Sequence, residues 1–187
     1  MRGDEYVRET VRTYLETEVP ARLTAHLAAY SLTSPTPPAV VFLLDDTLQN
    51  VSQFPAVLVT STSGQIGKWI AQDTYDVRYK VRVVVACDHR VHGDSEGASK
   101  DRDRVLTVVR EALLKLVGLP ADIDINARAM TWETGAAQET LAGVPLAAGT
   151  VDFEVNTVET VTDLAPPEDM DAVDLSVTGI PADQTLT

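Results

Sequence analysis

The stretch "TYDVRYKVRVVVAC", Thr74 to Cys87, decides how the rest of the chain is read. Val77, Tyr79, Val81, Val83 and Val85 recur at every second position, with Arg78, Lys80 and Arg82 between them. Side chains of a strand point alternately to its two faces, so this is a β-strand with one packed face and a polar first half on the other. Val84 and Ala86 then make both faces apolar, which places the second half of the strand deeper in the protein. The basic row has three readings: a solvated sheet face, a contact with an acidic strand or tail of a neighbouring subunit, or a nucleic-acid contact.

Downstream, "SKDRDRVLTVVREALLKLVGLP" (99–120) has the period of an amphipathic helix, with Val105, Val108, Val109, Ala112, Leu113 and Leu116 on one stripe. Ser99 is its expected N-cap, with Ser95 as an alternative, and Asp101 and Asp103 suit the positive end of the macrodipole. Gly118 and Pro120 supply the stop. Two strands are expected near "NARAMTWET" (126–134) and "GTVDFEVNTVETV" (149–161), joined by a loop from Gly135 to Pro145. In the second, Val151, Phe153 and Val155 alternate with Asp152, Glu154 and Asn156, again a half-buried pattern.

Upstream, "FPAVLVTSTS" (54–63) reads as a strand closing at Gly64 and Gly67, which signal a hairpin turn. "AVVFLLDD" (39–46) is a short apolar run, either a buried strand or a covering segment, and "SLTSPTPP" (31–38) is a breaker-rich linker. Residues 4–29 read as helical, with Val7, Val11, Tyr14, Leu15, Leu23 and Leu27 on one stripe. Pro20 is expected to kink this helix or to open a second one.

The 187 residues are enough for one domain with a real core. Aromatic residues at 5% argue against a stacking platform for single-stranded nucleic acid. One cysteine cannot form an intramolecular disulfide, no apolar run reaches transmembrane length, and "MRGDEYVRET" lacks the apolar core of a signal peptide. A soluble intracellular protein with no membrane partner is expected. Charge is uneven: all 15 basic residues and 17 of the 28 acidic ones lie at or before Arg128. The acidic remainder has no cations with which to hold a phosphate backbone. It suits a surface that repels DNA, one that seeks a basic partner, or solubility alone. From Leu164 the chain is acidic and aperiodic, and left alone such a segment stays unfolded, so ordering it would need another subunit or partner.

Potential chemistry concentrates in "CDHRVHGD" (87–94). Cys87, His89 and His92, with Asp88 and Asp94, are ligand types, but a zinc site commonly draws ligands from two segments. The second segment is missing, because Cys87 is the only cysteine and His26 lies in the first helix. A small metal-dependent enzyme on these residues is one reading; a strand-to-helix loop with Cys87 as a buried hydrophobe is the simpler one. A thiol nucleophile would need a base placed in space around it, and Asp88 and His89 are too close in sequence for that. "SGQIGKW" (63–69) lacks the spacing and hydroxyl of a phosphate loop. Gly64 to Lys68 fits the spacing of the KH-type RNA-binding loop, but that loop joins two helices, so a hairpin turn fits better.

The order of elements, with "YKVRVVVACDHRVHGDSEGASKDRDRVLTVVREALL" at its centre, resembles the tail terminator (tail completion) proteins of long-tailed bacteriophages, particularly those of actinobacteria. The resemblance covers residues 1–162 and leaves residues 163–187 as a separate acidic extended arm. It implies an α+β fold: a mostly antiparallel sheet of about four to five strands, with a long N-terminal helix and a second helix packed on one face. It also implies a virion protein of the tail neck, assembled in the host bacterial cytoplasm, which forms a homo-oligomeric ring, commonly a hexamer. Such a ring caps the head-proximal end of the tail tube, ends tube polymerisation and meets the head-to-tail connector, while genomic DNA passes through its lumen without specific binding. No reaction and no cofactor are expected. A head-to-tail stopper or adaptor is the neighbouring reading. Candidate subunit-interface residues are Arg78, Lys80, Arg82, His89, His92, Asp152 and Glu154; Glu168, Asp169, Asp171 and Asp174 are candidate partner contacts on the arm.

Overall fold

A computed structural model describes residues 3–35, 40–44, 53–71, 73–90, 94–115, 119–135, 140–141 and 144–160. Two helices, α1 (Gly3–Ala29) and α2 (Ser95–Lys115), pack on one face of a sheet. Its strands are β1 (Val41–Leu44), β2 (Ala56–Ala71), β3 (Thr74–Asp88), β4 (Ile123–Thr134) and β6 (Val144–Thr160). They lie in the order β1-β2-β3-β6-β4, and only the β1–β2 pair is parallel. The two-residue β5 (Thr140–Leu141) pairs with the start of β6. The fold is therefore α+β and mostly antiparallel, as expected; the acidic arm lies outside the described residues.

The alternation in β3 does what its period requires. Val77, Tyr79, Val81, Val83 and Val85 are buried against the helices, together with Val151, Phe153 and Val155 of β6. We call this the helix face, and the opposite side the outer face. Arg78, Lys80 and Arg82 stand on the outer face, exposed. Lower on that face, Phe54, Ala56, Leu58, Ala86 and Leu146 form a second apolar cluster, which explains why the alternation lapses after Val83.

Helix α1 contributes Val7, Val11, Tyr14, Leu15, Val19, Leu23 and Leu27 to the core, and the Tyr14 hydroxyl donates to the Ala112 carbonyl of α2 at 2.8 Å. Pro20 does not open a second helix; the element is single from Gly3 to Ala29. An interior proline costs about 3 kcal/mol. Val19, Leu23 and Leu27, on both sides of it, are buried on one stripe, and each such side chain stabilises by about 1.5–3 kcal/mol, so burial wins.

Three further expectations are corrected. The turn is not at Gly64 and Gly67, because β2 runs through both to Ala71 and reverses around Asp73, which has φ 57°. These glycines serve close approach: a Cβ on Gly64 would stand 2.9 Å from Cε1 of Tyr79, and one on Gly67 would stand 3.1 Å from the Asp76 carbonyl oxygen. The expected loop from Gly135 to Pro145 contains β5 and the first residues of β6. Helix α2 starts at Ser95, and its cap is Asp94, whose carboxylate accepts from the Gly97 N–H at 2.5 Å, neither Ser99 nor Ser95. Asp101 thus falls inside the helix, where it is buried and bonded to Ser34 and to Arg104, at 2.8 Å from the latter.

Candidate functional site

Of "CDHRVHGD", residues 87–90 and 94 are described, and they take separate structural roles. Cys87 is fully buried beside Ala98 and Ala147, and burial pushes its thiol well above the ordinary range, so the thiolate that chemistry needs is disfavoured. Asp88 is buried and accepts from the Arg90 backbone N–H at 2.7 Å and from its guanidinium at 2.6 Å. The Arg90 side-chain bond holds the Asp88 carboxyl below its usual range. Asp94 is occupied as a helix cap, and His89 lines a shallow cavity with Ser95, Glu96, Ser99 and Arg102. His92 lies outside the described residues, as do Glu168, Asp169, Asp171 and Asp174. Among the described residues no group of three His, Cys, Asp or Glu side chains could hold a metal ion.

The outer face brings together candidates that are far apart in sequence. Arg82 and Asp152 are direct cross-strand partners, and the guanidinium donates to both carboxylate oxygens at 2.7 and 3.1 Å. Lys80 lies opposite Glu154, but that carboxylate turns to Arg78 at 3.8 Å and to Asn126 at 3.2 Å. Within the chain, Arg78 and Arg82 thus meet acidic residues of β6. Lys80 makes no ion pair among the described residues. It lines a groove of about 320 Å³ with Thr62, Arg82, Thr131, Asp152 and Glu154. The pairs reach solvent, with Glu154 the most covered at 21% exposed, and exposed pairs contribute about 0–1 kcal/mol each. They are a surface feature and not a source of stability.

At the upper end of the sheet β2 and β3 join as a hairpin, with β6 paired to β3 as far as Thr74. From Thr62 to Ala71 every residue of β2 is exposed on both faces. Ile66, Trp69 and Ile70 are 60, 62 and 54% exposed, and Val158 of the adjoining β6 is 50% exposed. Ile66 and Trp69 lie on the helix face and Val158 on the outer face, and exposed large apolar side chains of this kind mark contact surfaces. Reading "SGQIGKW" as a turn hid them; the signal was present in Ile66, Trp69 and Ile70, too much apolar area for a solvated turn. Gly64 to Lys68 is extended strand, a shape unlike the KH loop. At the base of the hairpin, the Tyr79 hydroxyl donates to the buried Glu159 carboxylate at 2.6 Å, and burial with that bond raises the phenol above its ordinary range.

At the opposite sheet edge, Trp132 of β4 is 52% exposed, with the Arg110 guanidinium 3.6 Å above its ring. Among the described residues no helix is long and apolar enough to cross a membrane. Fold and surface together define an α+β domain with a charged outer sheet face and a β2–β3 hairpin whose β2 arm exposes large apolar residues. The chain matches no protein-family model and no curated protein.

Proposed function

We propose that the protein is a structural virion component, a tail terminator that assembles as a ring on the head-proximal end of a phage tail tube. It acts by contact, without catalysis or cofactor. The observation that carries this reading is the hairpin, whose exposed Ile66, Trp69 and Ile70 suit a protein partner better than solvent. The order of elements, α1 through β6, supports it as well, since it follows the sequence pattern that resembles the tail terminators. In this reading the ring is a homo-oligomer, commonly of six copies. One side meets the tube protein and the other the head-to-tail connector, and the acidic arm from residue 163 onward contacts a neighbour. An excess of acidic charge lets DNA pass the lumen without sticking, because like charges repel.

Native mass spectrometry of the full chain, alone and with the tail tube protein of the same virus, tests the proposal. A closed oligomer that shortens growing tubes in proportion to its concentration is expected. A chain that stays monomeric and leaves tube length unchanged overturns it.

A further inference from the structure

Among the described residues the sheet has two edges without a strand partner. β1 covers β2 only as far as Val59, so the outer side of Thr60–Ala71 has no strand partner among the described residues. β4 pairs with β6 on one side, and no described strand lies on the other. A free edge offers unpaired backbone N–H and C=O groups, and monomeric proteins commonly blunt it with proline or charge. Thr60–Ala71 carries no proline and one charge, Lys68.

From this geometry we infer that the free edge of β2 in one copy of the chain pairs antiparallel with the free edge of β4 in the next. The inference rests on the ring reading above and names the surface that closes the ring.

Three antiparallel steps separate β2 from β4, so the two strands run in opposite directions. A second copy placed beside the first in unchanged orientation therefore makes an antiparallel junction. Their heights agree too. Reading across the ladder, Ile66 is level with Val77, Thr157 and Ile123, and Gln65 is level with Arg78, Asn156 and Asp124. Ser63 is level with Lys80, Glu154 and Asn126 by the same route. Ser63–Ile66 and Ile123–Asn126 are both runs without a bulge. Joined at equal height, they place Ile66 beside Ile123 on the helix face, and Gln65 beside Asp124 and Ser63 beside Asn126 on the outer face. A one-residue slip would put these side chains on opposite faces.

Charge agrees with this placement. Lys68 and Lys80, on or next to the β2 edge, make no ion pair among the described residues, and neither does Asp124 of β4. β4 itself carries one cation, Arg128, within its bulge. The contact is heterologous, one edge meeting a different edge, and such contacts close into rings where the rotation permits. Trp69 and Ile70, beyond Ile66, would then reach over the Leu119–Asp122 approach to the neighbour's β4.

Hydrogen exchange on the full chain tests this, comparing assembled protein with dilute monomer. Edge-facing amides within Ser63–Ile66 and Ile123–Asn126 should slow together, by about tenfold or more, while exposed amides elsewhere do not. Gln65→Cys and Asp124→Cys proteins, each retaining the buried Cys87, should form a disulfide-linked dimer when mixed under oxidation and little when incubated separately. Linkage of Gln65→Cys to itself as strongly as in the mixture overturns the head-to-tail contact. A closed oligomer whose two edges exchange as fast as in the monomer overturns the edge pairing and leaves the ring. A monomer at every concentration, with tube protein present, overturns both.

Discussion

The two ends of one sheet are built on different principles. At the lower end, Val83, Val85, Ala86 and Cys87 of β3 and Leu146–Ala148 of β6 are buried, with the helices above them and the second apolar cluster below. At the upper end, β2 from Thr62 onward is exposed on both faces, and its large side chains face solvent. β2 is the strand that changes, buried from Ala56 to Val59 and exposed from Thr62 onward, while Val77 and Tyr79 keep the helix face of β3 buried at both ends. Between them stand the cross-strand ion pairs Arg82–Asp152 and Arg78–Glu154.

Substitutions graded along the sheet test this contrast. Leu146→Ala, at the buried end, should lower unfolding free energy by about 2–5 kcal/mol in urea titration, since it opens a cavity where 1% of the residue is exposed. A loss below about 1 kcal/mol would mean that the lower outer face is not packed. Gly64→Ala sits at the boundary. Its methyl would press on a Tyr79 ring pinned by Glu159, so a cost of about 1–3 kcal/mol is expected. Restoring part of that loss with Tyr79→Phe, which releases the ring, would show that the hydroxyl bond sets the cost.

Further out the effects shrink. A double-mutant cycle of Arg82→Ala and Asp152→Ala should give a coupling of about 1 kcal/mol or less, weakening with added salt. A larger, salt-insensitive coupling would place that pair in the buried region instead. Trp69→Lys should leave monomer stability within about 0.5 kcal/mol, because the ring is 62% exposed, yet weaken assembly measured by light scattering. A clear loss of monomer melting temperature would erase the distinction between the two ends.

Much of this was legible in the sequence where the cause is local. The period of β3, the stripes of α1 and α2, and the half-buried pattern of β6 are each written within one segment, and each falls where expected, apart from Leu116 and Gly118, which lie outside the described residues. The misreadings arise where one residue type serves two physical ends. Gly64 and Gly67 carry the same signal whether they turn the chain or admit a neighbour, and only the facing Tyr79 and Asp76 decide. Asp94 had the chemistry of a ligand and of a cap alike. The site was less legible still. That Arg82 meets Asp152 depends on β3 and β6 lying side by side, and no local pattern near either residue states this.

The pairing of β3 with β6 also bears on how the chain is made. Thr74 meets Thr160 and Asp88 meets Leu146, so the longest ladder in the sheet joins segments separated by α2 and β4. β6 is also the inner strand, seated between β3 and β4, although it leaves the ribosome after both. Until it arrives, β3 has only its hairpin partner β2, and β4 has no strand beside it. Pairings this distant in sequence slow folding, and bare strands during the delay invite association between nascent chains. A ribosome that stalls before Val144 would release a protein whose sheet has lost its middle, which makes the final described strand the step that commits the domain to its fold.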